Sequence, residues 1–442
     1  MNTPRLILAY LRWRPLQAVL NLLLMAVGIA TLVVVLLFGH QIEQRLEQDA
    51  KGVDLVVGAQ GSPIQLILST VFHADVPTGN IPVEAAEQIG DHRLVAGTIP
   101  LALGDSYRGF RIVGTEHAYP ELYGATPASG RLWEGTMEAV AGAEAAARTG
   151  LSAGATFTGT HGIMADDRRG HVHDYAPYTV VGVLEPTGTV LDRLILTSVE
   201  SVWHVHDEDA IHGEEHEDEH GHGGHEPEDE HGHEARRPAG DAPGAGAGGA
   251  GAGADGDAAA DPKELTALLV QYRSPLAALA LPREINREPG LMAASPAFES
   301  ARLMEILGFG LDTLRAFAWV LVAAAALALF IGLYTALRER RHDLAVMRVL
   351  GASRGRVFVL IVTEGVVLAC LGAVLGLMLG HAAAELLGQW LATTRQVSFT
   401  GAAWLPRELW LIAAAAGVGA LAALPPAVQA YRTDIARTLS ER

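Results

Sequence analysis

Residues 338–358 read RERRHDLAVMRVLGASRGRVF, an arginine-rich stretch between two long apolar runs. The run before it, residues 316–337, has no charged side chain, and the run after it, residues 357–381, is interrupted only by Glu364. Because about 20 consecutive apolar residues suffice to cross a bilayer, each run is long enough for a transmembrane helix. The pattern therefore predicts two membrane spans joined by a short basic connection.

Two more runs of this kind lie at residues 16–39 and 409–431. The first is about twice as long as the apolar part of a signal peptide. It ends in Phe38-Gly39-His40-Gln41 and not in a small-x-small cleavage site, so we interpret it as an uncleaved anchor. Four predicted spans also account for the positive mean hydropathy of +0.23.

The arginines predict how these spans are oriented. They flank the spans at Arg5, Arg12 and Arg14, at Arg338, Arg340, Arg341, Arg348, Arg354 and Arg356, and at Arg432, Arg437 and Arg442. Basic residues close to spans are enriched on the cytoplasmic side. We therefore expect both termini and the 338–356 connection in the cytoplasm of a bacterium, with the chain as a multi-pass protein of the inner membrane and its large domain in the periplasm.

The region between the first two spans has the composition of a folded domain. Short β-rich runs occur at Arg111-Ile112-Val113, Tyr178–Leu184 and Leu194-Ile195-Leu196, and a returning strand at Leu268-Leu269-Val270. Helical patterns occur at Val83–Ile89 and Met137–Arg148, and two more, Gln41–Ala50 and Glu299–Arg315, lead out of and into the membrane. The only cysteine, Cys370, lies in a span, so we expect this domain to fold without disulfides.

The predicted fold is an integral membrane α-helical protein with four transmembrane helices and a large extracytoplasmic α+β domain inserted between helices 1 and 2. Its predicted segments are a cytoplasmic N-terminus (1–15), helix 1 (16–39), a periplasmic core (40–203), a His- and acid-rich insertion (204–237), a Gly/Ala-rich disordered linker (238–261), the domain return and stalk helix (262–315), helix 2 (316–337), a cytoplasmic coupling segment (338–356), helix 3 (357–381), a periplasmic loop (382–408), helix 4 (409–431) and a cytoplasmic tail (432–442).

One segment, His204–His233, dominates the charge of the chain. It holds twelve acidic residues, nine of the 18 histidines and neither Lys nor Arg; without those carboxylates the formal charge of −18 becomes −6. Imidazole with carboxylate suits Zn²⁺, copper or nickel. We expect a flexible chelating loop with weak, exchangeable sites at His204, His206, His212, His216, His220, His222, His225, His231 and His233. The alternative is a solvated acidic loop in which the histidines bind nothing.

A second, folded metal site is the weaker hypothesis. It would use His161 and the pair His171/His173 followed by Asp174. Isolated histidines on strands are more often ordinary surface residues, which favours no site there.

Several function classes are excluded or disfavoured by the residues. The chain has only two lysines, Lys51 and Lys263, and neither follows a glycine, so a Walker A loop is absent and ATP is used only through a partner. We predict no catalytic residue and no fixed cofactor. Nucleic-acid binding is not expected either, because the acidic chain lacks a basic footprint.

The 338–358 stretch resembles the cytoplasmic coupling region of MacB/FtsX-like (type VII) ABC transporter permeases. Its R-x-R-x-x-D pattern, the later arginine and the Gly-Ala pair match at Arg338, Arg340, Asp343, Arg348, Gly351 and Ala352, and Glu364 falls where the family often has a glutamate. The tail LPPAVQAYRTDIARTL, Gly130-Arg131-Leu132-Trp133, the Ala-x-x-x-Gly-Leu-x-x-Gly run ending at Gly154, and VVGVL at Val180–Leu184 are similar to the family's other motifs.

This resemblance implies a permease subunit driven by a separate cytoplasmic ABC ATPase, as a homodimer or as a heterodimer with a paralogous permease. It implies ATPase coupling by Arg338, Glu339, Arg340, Asp343, Arg348, Leu350, Gly351 and Ala352. Our leading hypothesis adds transition-metal (zinc) handling through the His-rich loop, with a periplasmic partner. The alternatives are export or extraction of lipoproteins, peptides or drugs with the loop incidental, a non-transporting signal transmitter that activates an envelope hydrolase, and a membrane-anchored metal buffer.

The third predicted span contains one carboxylate and a series of regularly spaced glycines. A carboxylate inside the bilayer is costly, so we expect Glu364 to pair at the dimer interface or with Arg356 or Arg315. Gly372, Gly376 and Gly380 follow at small-x-x-x-small spacing and predict close helix packing.

Overall fold

The structure is a computed structural model that describes residues 15–161, 176–206, 263–339, 346–349, 351–395 and 399–432. The chain divides into a helical unit, Met1–Asp49 with Ala297–Arg442, and a β unit, Ala50–Pro296. Most of the predicted insertion and linker, the residues before Pro15 and the tail after Arg432 lie outside the described residues.

The helices, in chain order, are α1 (Pro15–Asp49), α2 (Pro63–Thr70), α3 (Val83–Gly90), α4 (Ala118–Leu122), α5 (Ala143–Thr149), α6 (199–206), α7 (Ala277–Ile285), α8 (Pro296–Glu339), α9 (Arg354–Arg395) and α10 (Glu408–Arg432). The strands are β1 (Leu55–Ala59), β2 (Ile81–Pro82), β3 (Val95–Tyr107), β4 (Phe110–Thr115), β5 (Pro127–Gly130), β6 (Glu138–Ala141), β7 (Thr156–Phe157), β8 (Thr160–His161), β9 (Tyr178–Leu184), β10 (Leu194–Ser198), β11 (Glu264–Leu265), β12 (Ala267–Tyr272) and β13 (Leu291–Ala294).

Four helices in the described part of the chain, α1, α8, α9 and α10, are long and apolar enough to cross a membrane. The predicted fold class, four spans with an α+β domain between the first and the second, is confirmed. At 1.5 Å per residue, the 44 residues of α8 extend about 66 Å and the 35 of α1 about 52 Å. Both exceed a hydrocarbon core of about 30 Å, because each helix includes the predicted membrane-proximal extension.

Helix α9 packs closely against α1 along its glycines, as the small-residue spacing predicts. A methyl group on Gly376 would lie 2.7 Å from the Ala26 carbonyl oxygen, and one on Gly380 would lie 2.7 Å from Val33 Cβ. Such spacing is tighter than van der Waals contact, so only glycine permits this approach of the two backbones. On another side, α9 meets α10 at Gly365 and Gly419.

The β unit is built on one mixed sheet. Among the described residues, eleven strands join in it, with the order β13-β1-β12-β3-β4-β10-β6-β9-β5, β7 beside β9 and β8 beside β3. The β4–β10 and β6–β9 pairs are parallel and the other pairs are antiparallel. Two buried clusters lie on the sheet, one around Leu55, Ile81 and Val270, the other around Ile112 and Tyr178.

The predicted helix Met137–Arg148 is wrong in its first half. Glu138–Ala141 forms β6, and helix α5 begins only after Gly142. Ala139, Val140 and Ala141 are buried between β9 and β10, so the two ladders outweigh the helix propensity of this alanine-rich run. The strands predicted at residues 111–113, 178–184, 194–196 and 268–270 are confirmed.

Candidate functional site

The predicted coupling segment, residues 338–356, is described at residues 338, 339, 346–349 and 351–356, whereas Arg340, Asp343 and Leu350 lie outside the described residues. Residues 346–349 are helical. The Gly351 N–H donates to the Arg348 carbonyl (3.1 Å) and the Ala352 N–H to the Met347 carbonyl (3.0 Å). This pair of bonds is a Schellman motif, which requires a left-handed residue after the helix. Gly351, with φ +99°, supplies it.

Helix α9 begins at Arg354, three residues after Gly351. The Ser353 hydroxyl accepts from the Arg356 N–H at 3.3 Å and so caps the first turn. Val346 and Val349, 40% and 65% exposed, present apolar surface on the segment between the two spans. The helical part of the segment, residues 346–349, thus ends in a defined turn at Gly351. The segment presents both arginines and apolar side chains at its surface.

The ends of three spans meet beside this segment. Leu337 of α8, Val357 and Ile361 of α9, and Ala427 and Ala430 of α10 form a separate buried cluster. A displacement of residues 346–352 would therefore act on three packed helices and not on a loose loop.

Glu364 is buried in α9, with 9% of its surface exposed, and it interacts with other groups. Arg315, one of the partners suggested by the sequence, instead pairs with Asp312 at 2.7 Å. Arg356 is exposed, and its backbone bonds to Ser353. Pairing of Glu364 across a dimer interface stays a prediction.

At the opposite end of the bundle, residues 399–408 connect α9 to α10 and are bonded to α1. The Gln41 side chain donates to the Thr400 carbonyl (2.8 Å) and accepts from the Thr400 N–H (3.0 Å). Phe399 stacks on Phe38 with 4.5 Å between ring centroids. Glu385 of α9 accepts from the Gly401 N–H at 2.8 Å.

A buried polar pair, His381 and Glu408, lies in the same place. His381 Nε2 is 3.0 Å from Glu408 Oε2, and His381 Nδ1 is 2.5 Å from the Gly401 carbonyl oxygen. His381 is 8% exposed and Glu408 2%, and the imidazole stacks on Trp404 at 4.1 Å between centroids. This pair was not predicted from the sequence, since both residues fall at the ends of apolar runs, 27 positions apart.

The first two histidines of the acidic segment, His204 and His206, are exposed on α6, whose Val205 is fully buried. Two positions apart on a helix, they point about 160° away from each other, so they do not converge on one ion. The other seven histidines lie outside the described residues, as do His171, His173 and Asp174. Within the described ranges no group of three or more His, Cys, Asp or Glu is arranged to hold a metal.

The Gly130–Trp133 motif forms a tight structure in the β unit. Both guanidinium nitrogens of Arg131 donate to Glu138, at 2.8 and 2.6 Å. Glu138 also accepts from the Glu134 N–H at 2.8 Å and the Gly135 N–H at 3.1 Å. The Arg131 hydrogen bonds, followed by that from Glu134, lower the pKa of Glu138 to about 2.

A second polar cluster in the β unit surrounds Arg111, which is 5% exposed. Its guanidinium donates to the carbonyl oxygens of Ser69 (3.0 Å) and Asp75 (2.7 Å), and burial lowers its pKa to about 10. His73 Nε2 lies 3.0 Å from the Tyr119 hydroxyl. Desolvation, and then the charges of Arg111 and Arg193, hold the pKa of His73 well below its usual value.

Two family models match the chain. That of the FtsX-like permease C-terminal region matches residues 315–435, and that of the MacB-like periplasmic core domain matches residues 18–215. Comparison with curated proteins gave no match.

Two solved structures are similar to part of the chain at low identity. The periplasmic region of MacB from Actinobacillus actinomycetemcomitans is 10% identical, with a TM-score of 0.30, over 58% of this chain and 95% of that one. The extracellular domain of the noncanonic ABC-type transporter YknZ from Gram-positive bacteria is 10% identical, with a TM-score of 0.28, over 55% of this chain and 99% of that one.

The two family models together span more than half of the chain, and they cover the coupling segment, all four spans and the first part of the β unit. On these matches, the chain belongs to the MacB/FtsX-like ABC transporter permeases.

Proposed function

We propose that this permease couples a separate cytoplasmic ATPase to movements of its extracytoplasmic β unit, and that its histidine-rich loop links this movement to transition-metal handling. The observation that carries the coupling is the unbroken helix α8. It begins two residues after β13 and continues without interruption to Glu339, at the start of the coupling segment. A continuous helix transmits a displacement along its axis, whereas a jointed connection would absorb it.

The coupling segment has the features of a docking element. Residues 346–349 end in the Schellman motif at Gly351 and expose the side chains of Val346 and Val349. They lie beside the buried cluster formed by the ends of α8, α9 and α10. In the orientation given by the arginines it faces the cytoplasm, where the ATPase is.

The coupling proposal is tested by reversing one charge. We expect Arg348→Glu to reduce co-purification of the ATPase with the permease and its ATP hydrolysis. The matched control is Arg354→Glu, which changes the same charge six positions later, outside the pattern. Equal association of the ATPase with wild type and with R348E would contradict docking at this segment.

The permease acts as a dimer with a second copy or with a paralogous permease. The support is a stripe on α8, where Phe317, Val320, Leu327 and Ile331 are between 51% and 66% exposed and follow a period of 3.5 residues. Ile306, 60% exposed and eleven residues before Phe317, continues this stripe beyond the predicted span. An apolar stripe that extends past the span favours a protein partner there.

Cysteine cross-linking tests the α8 dimer. In a Cys370→Ala background, Ile306→Cys should form a disulfide-linked dimer in membranes. Leu311→Cys is the control, because Leu311 contacts α1 at Gly39. Absence of the I306C dimer, or equal yields from both positions, would exclude pairing along this stripe.

The metal role is supported by composition alone, nine histidines among twelve carboxylates in one segment. We expect deletion of residues 207–261 to lower the zinc content of the purified chain and growth under zinc limitation. This deletion keeps α6, whose Val202 and Val205 are buried. Deletion of 238–261 alone, which removes the linker but no histidine, is the control. Unchanged zinc content and growth would instead favour export, extraction or signal transmission with an incidental loop.

A further inference from the structure

The pair formed by His381 and Glu408 is not explained by coupling to the ATPase, because it lies at the end of the bundle opposite to the coupling segment. From the start of α9 at Arg354, His381 is 27 residues along, or about 40 Å, which is more than the hydrocarbon core of the bilayer. Trp390, Trp404 and Trp410, all more than 60% exposed, surround this level. Exposed tryptophans are typical of the membrane–water interface, so the pair lies at the boundary with the aqueous phase.

The hydrogen bonds of His381 set the number of protons that the pair holds. A carbonyl oxygen only accepts, so the bond to Gly401 requires a proton on Nδ1. With Nδ1 protonated, the contact between Nε2 and Glu408 Oε2 needs a second proton, carried either by the imidazole or by the carboxyl group. Both bonds thus exist only when the pair holds one proton more than a neutral imidazole beside an ionised carboxylate.

Loss of that proton has a defined structural consequence. A lone pair on Nε2 would then face the carboxylate at 3.0 Å, and a shift of the remaining proton to Nε2 would place a lone pair on Nδ1 against the Gly401 oxygen. Either arrangement replaces an attraction by a repulsion inside a buried site. His381 on α9 therefore loses at least one of its two hydrogen bonds, that to Gly401 or that to Glu408 in the first turn of α10.

Other contacts hold this loop independently of the pair. Gln41 of α1 bonds to Thr400 in both directions, and Glu385 of α9 accepts from the Gly401 N–H and the Thr400 hydroxyl. Glu408 Oε1 also accepts from the Leu405 N–H at 3.2 Å. Deprotonation would therefore weaken the link between His381 and the first turn of α10 without releasing the loop from α1.

Other titratable and charged side chains lie on the elements packed around the pair. They are His40 and Arg45 on α1, Asp312 and Arg315 on α8, Glu385 on α9 and Arg407 beside α10. Arg45 lies over the Phe399 ring, Asp312 and Arg315 pair with each other, and Glu385 bonds to the loop backbone. His381 and Glu408 share their hydrogen bond with each other.

We propose that His381 and Glu408 form a proton-binding site that clamps the first turn of α10 to α9 and opens when the shared proton is lost. In the orientation proposed above, this site senses the pH on the extracytoplasmic side. The clamp is closed while the pair holds the proton that both hydrogen bonds require, and a rise in pH favours its opening.

Trp404 supplies a direct test, because it stacks on His381 and an imidazolium quenches indole fluorescence more strongly than a neutral imidazole does. The full chain in lipid nanodiscs is titrated from about pH 5 to about pH 8, and the signal of a Trp404→Phe chain is subtracted. We expect the Trp404 component to increase with pH in the wild type. The increase should be lost in His381→Gln and should shift to lower pH in Glu408→Gln.

Hydrogen exchange of residues 399–408 adds a structural readout. After correction for intrinsic exchange, the wild-type loop should exchange faster at high pH, and His381→Gln should be fast at both pH values. The matched control Glu385→Gln removes a neighbouring loop bond and should raise exchange equally at both. A Trp404 signal that is constant with pH, or that titrates in His381→Gln as in the wild type, overturns the proposal. Neither readout uses the ATPase, so the result is independent of the coupling test.

Discussion

Gly365 of α9 and Gly419 of α10 pack backbone against backbone. A methyl group on Gly365 would lie 2.9 Å from the Gly419 carbonyl oxygen, and one on Gly419 would lie 2.7 Å from the Gly365 oxygen. Ala369 and Ala423 continue this contact on either side. In a membrane, where apolar surface gains little by leaving lipid, such close packing of small residues is the main source of helix association.

We therefore expect Gly419→Val to destabilise the helical unit by about 1–3 kcal/mol, the usual cost of overpacking. Gly417→Val is the matched control, because a side chain at Gly417, two positions earlier on α10, meets nothing within 4 Å. Thermal aggregation of both variants in nanodiscs measures the difference. Equal midpoint temperatures of aggregation for the two variants would show that this contact does not stabilise the packing of α9 against α10.

The turn at Gly351 should matter for ATPase binding. With φ +99°, alanine there would be strained by about 1–2 kcal/mol, enough to unwind the Schellman turn part of the time. We expect Gly351→Ala to weaken association with the ATPase by roughly five- to tenfold, and Gly351→Asn to weaken it less, since asparagine tolerates this conformation better. Gly355→Ala, in open space on α9, should bind like the wild type. Equal association of all three variants with the ATPase would show that the turn at Gly351 does not contribute to docking.

The membrane architecture was predictable because its signal is carried by single residues and their spacing. Uncharged runs gave the spans, and the positions of Gly376 and Gly380 gave the close approach of α9 to α1. Strand Tyr178–Leu184 was predicted with its observed bounds, since it is a short run rich in β-branched residues with a proline on either side, Pro177 and Pro186.

The rest depended on contacts distant in sequence. Glu138–Ala141 is helix-prone by composition and becomes a strand only because β9 and β10 flank it. His381 and Glu408 meet because α9, the loop and α10 fold back on each other, which no local pattern encodes.

The Arg131–Glu138 pair should make part of the β unit sensitive to acid. Because the folded pKa of Glu138 is lowered to about 2, below an unfolded value of about 4.3, its contribution is fully present above the unfolded value. It is lost as the pH falls from about 4 towards about 2. Glu138→Gln should therefore lower stability at neutral pH by about 1 kcal/mol, and the difference from wild type should shrink on acidification.

Proteolysis of the full chain at increasing urea concentrations measures this difference, with Glu144→Gln as control. Glu144 forms an exposed i,i+4 pair with Arg148, of the kind that contributes little to stability. A stability difference for E138Q that is constant between neutral and acidic pH would contradict the linkage.

His73 should produce a second loss of stability, nearer to neutral pH. Its folded pKa is lowered, first by burial and then by Arg111 and Arg193, so its contribution is present above the unfolded value of about 6.5 and is lost as the pH falls below it. Protonation would also place a donor on Nδ1, which has no hydrogen-bond partner within the described residues. We expect stability of the β unit to fall there by up to about 1.4 kcal/mol for each pH unit.

The variant that tests this is His73→Asn, because His73 has φ +50° and asparagine tolerates positive φ without titrating. Its β unit should lose the dependence on pH between about pH 7 and about pH 5 that the wild type shows in urea-dependent proteolysis. His92→Gln is the control, since His92 lies at the surface, 3.6 Å from Glu284. If His73→Asn keeps the wild-type slope, the acid sensitivity has another origin. If only His381→Gln abolishes it, the clamp in the helical unit and not this histidine governs the stability measured.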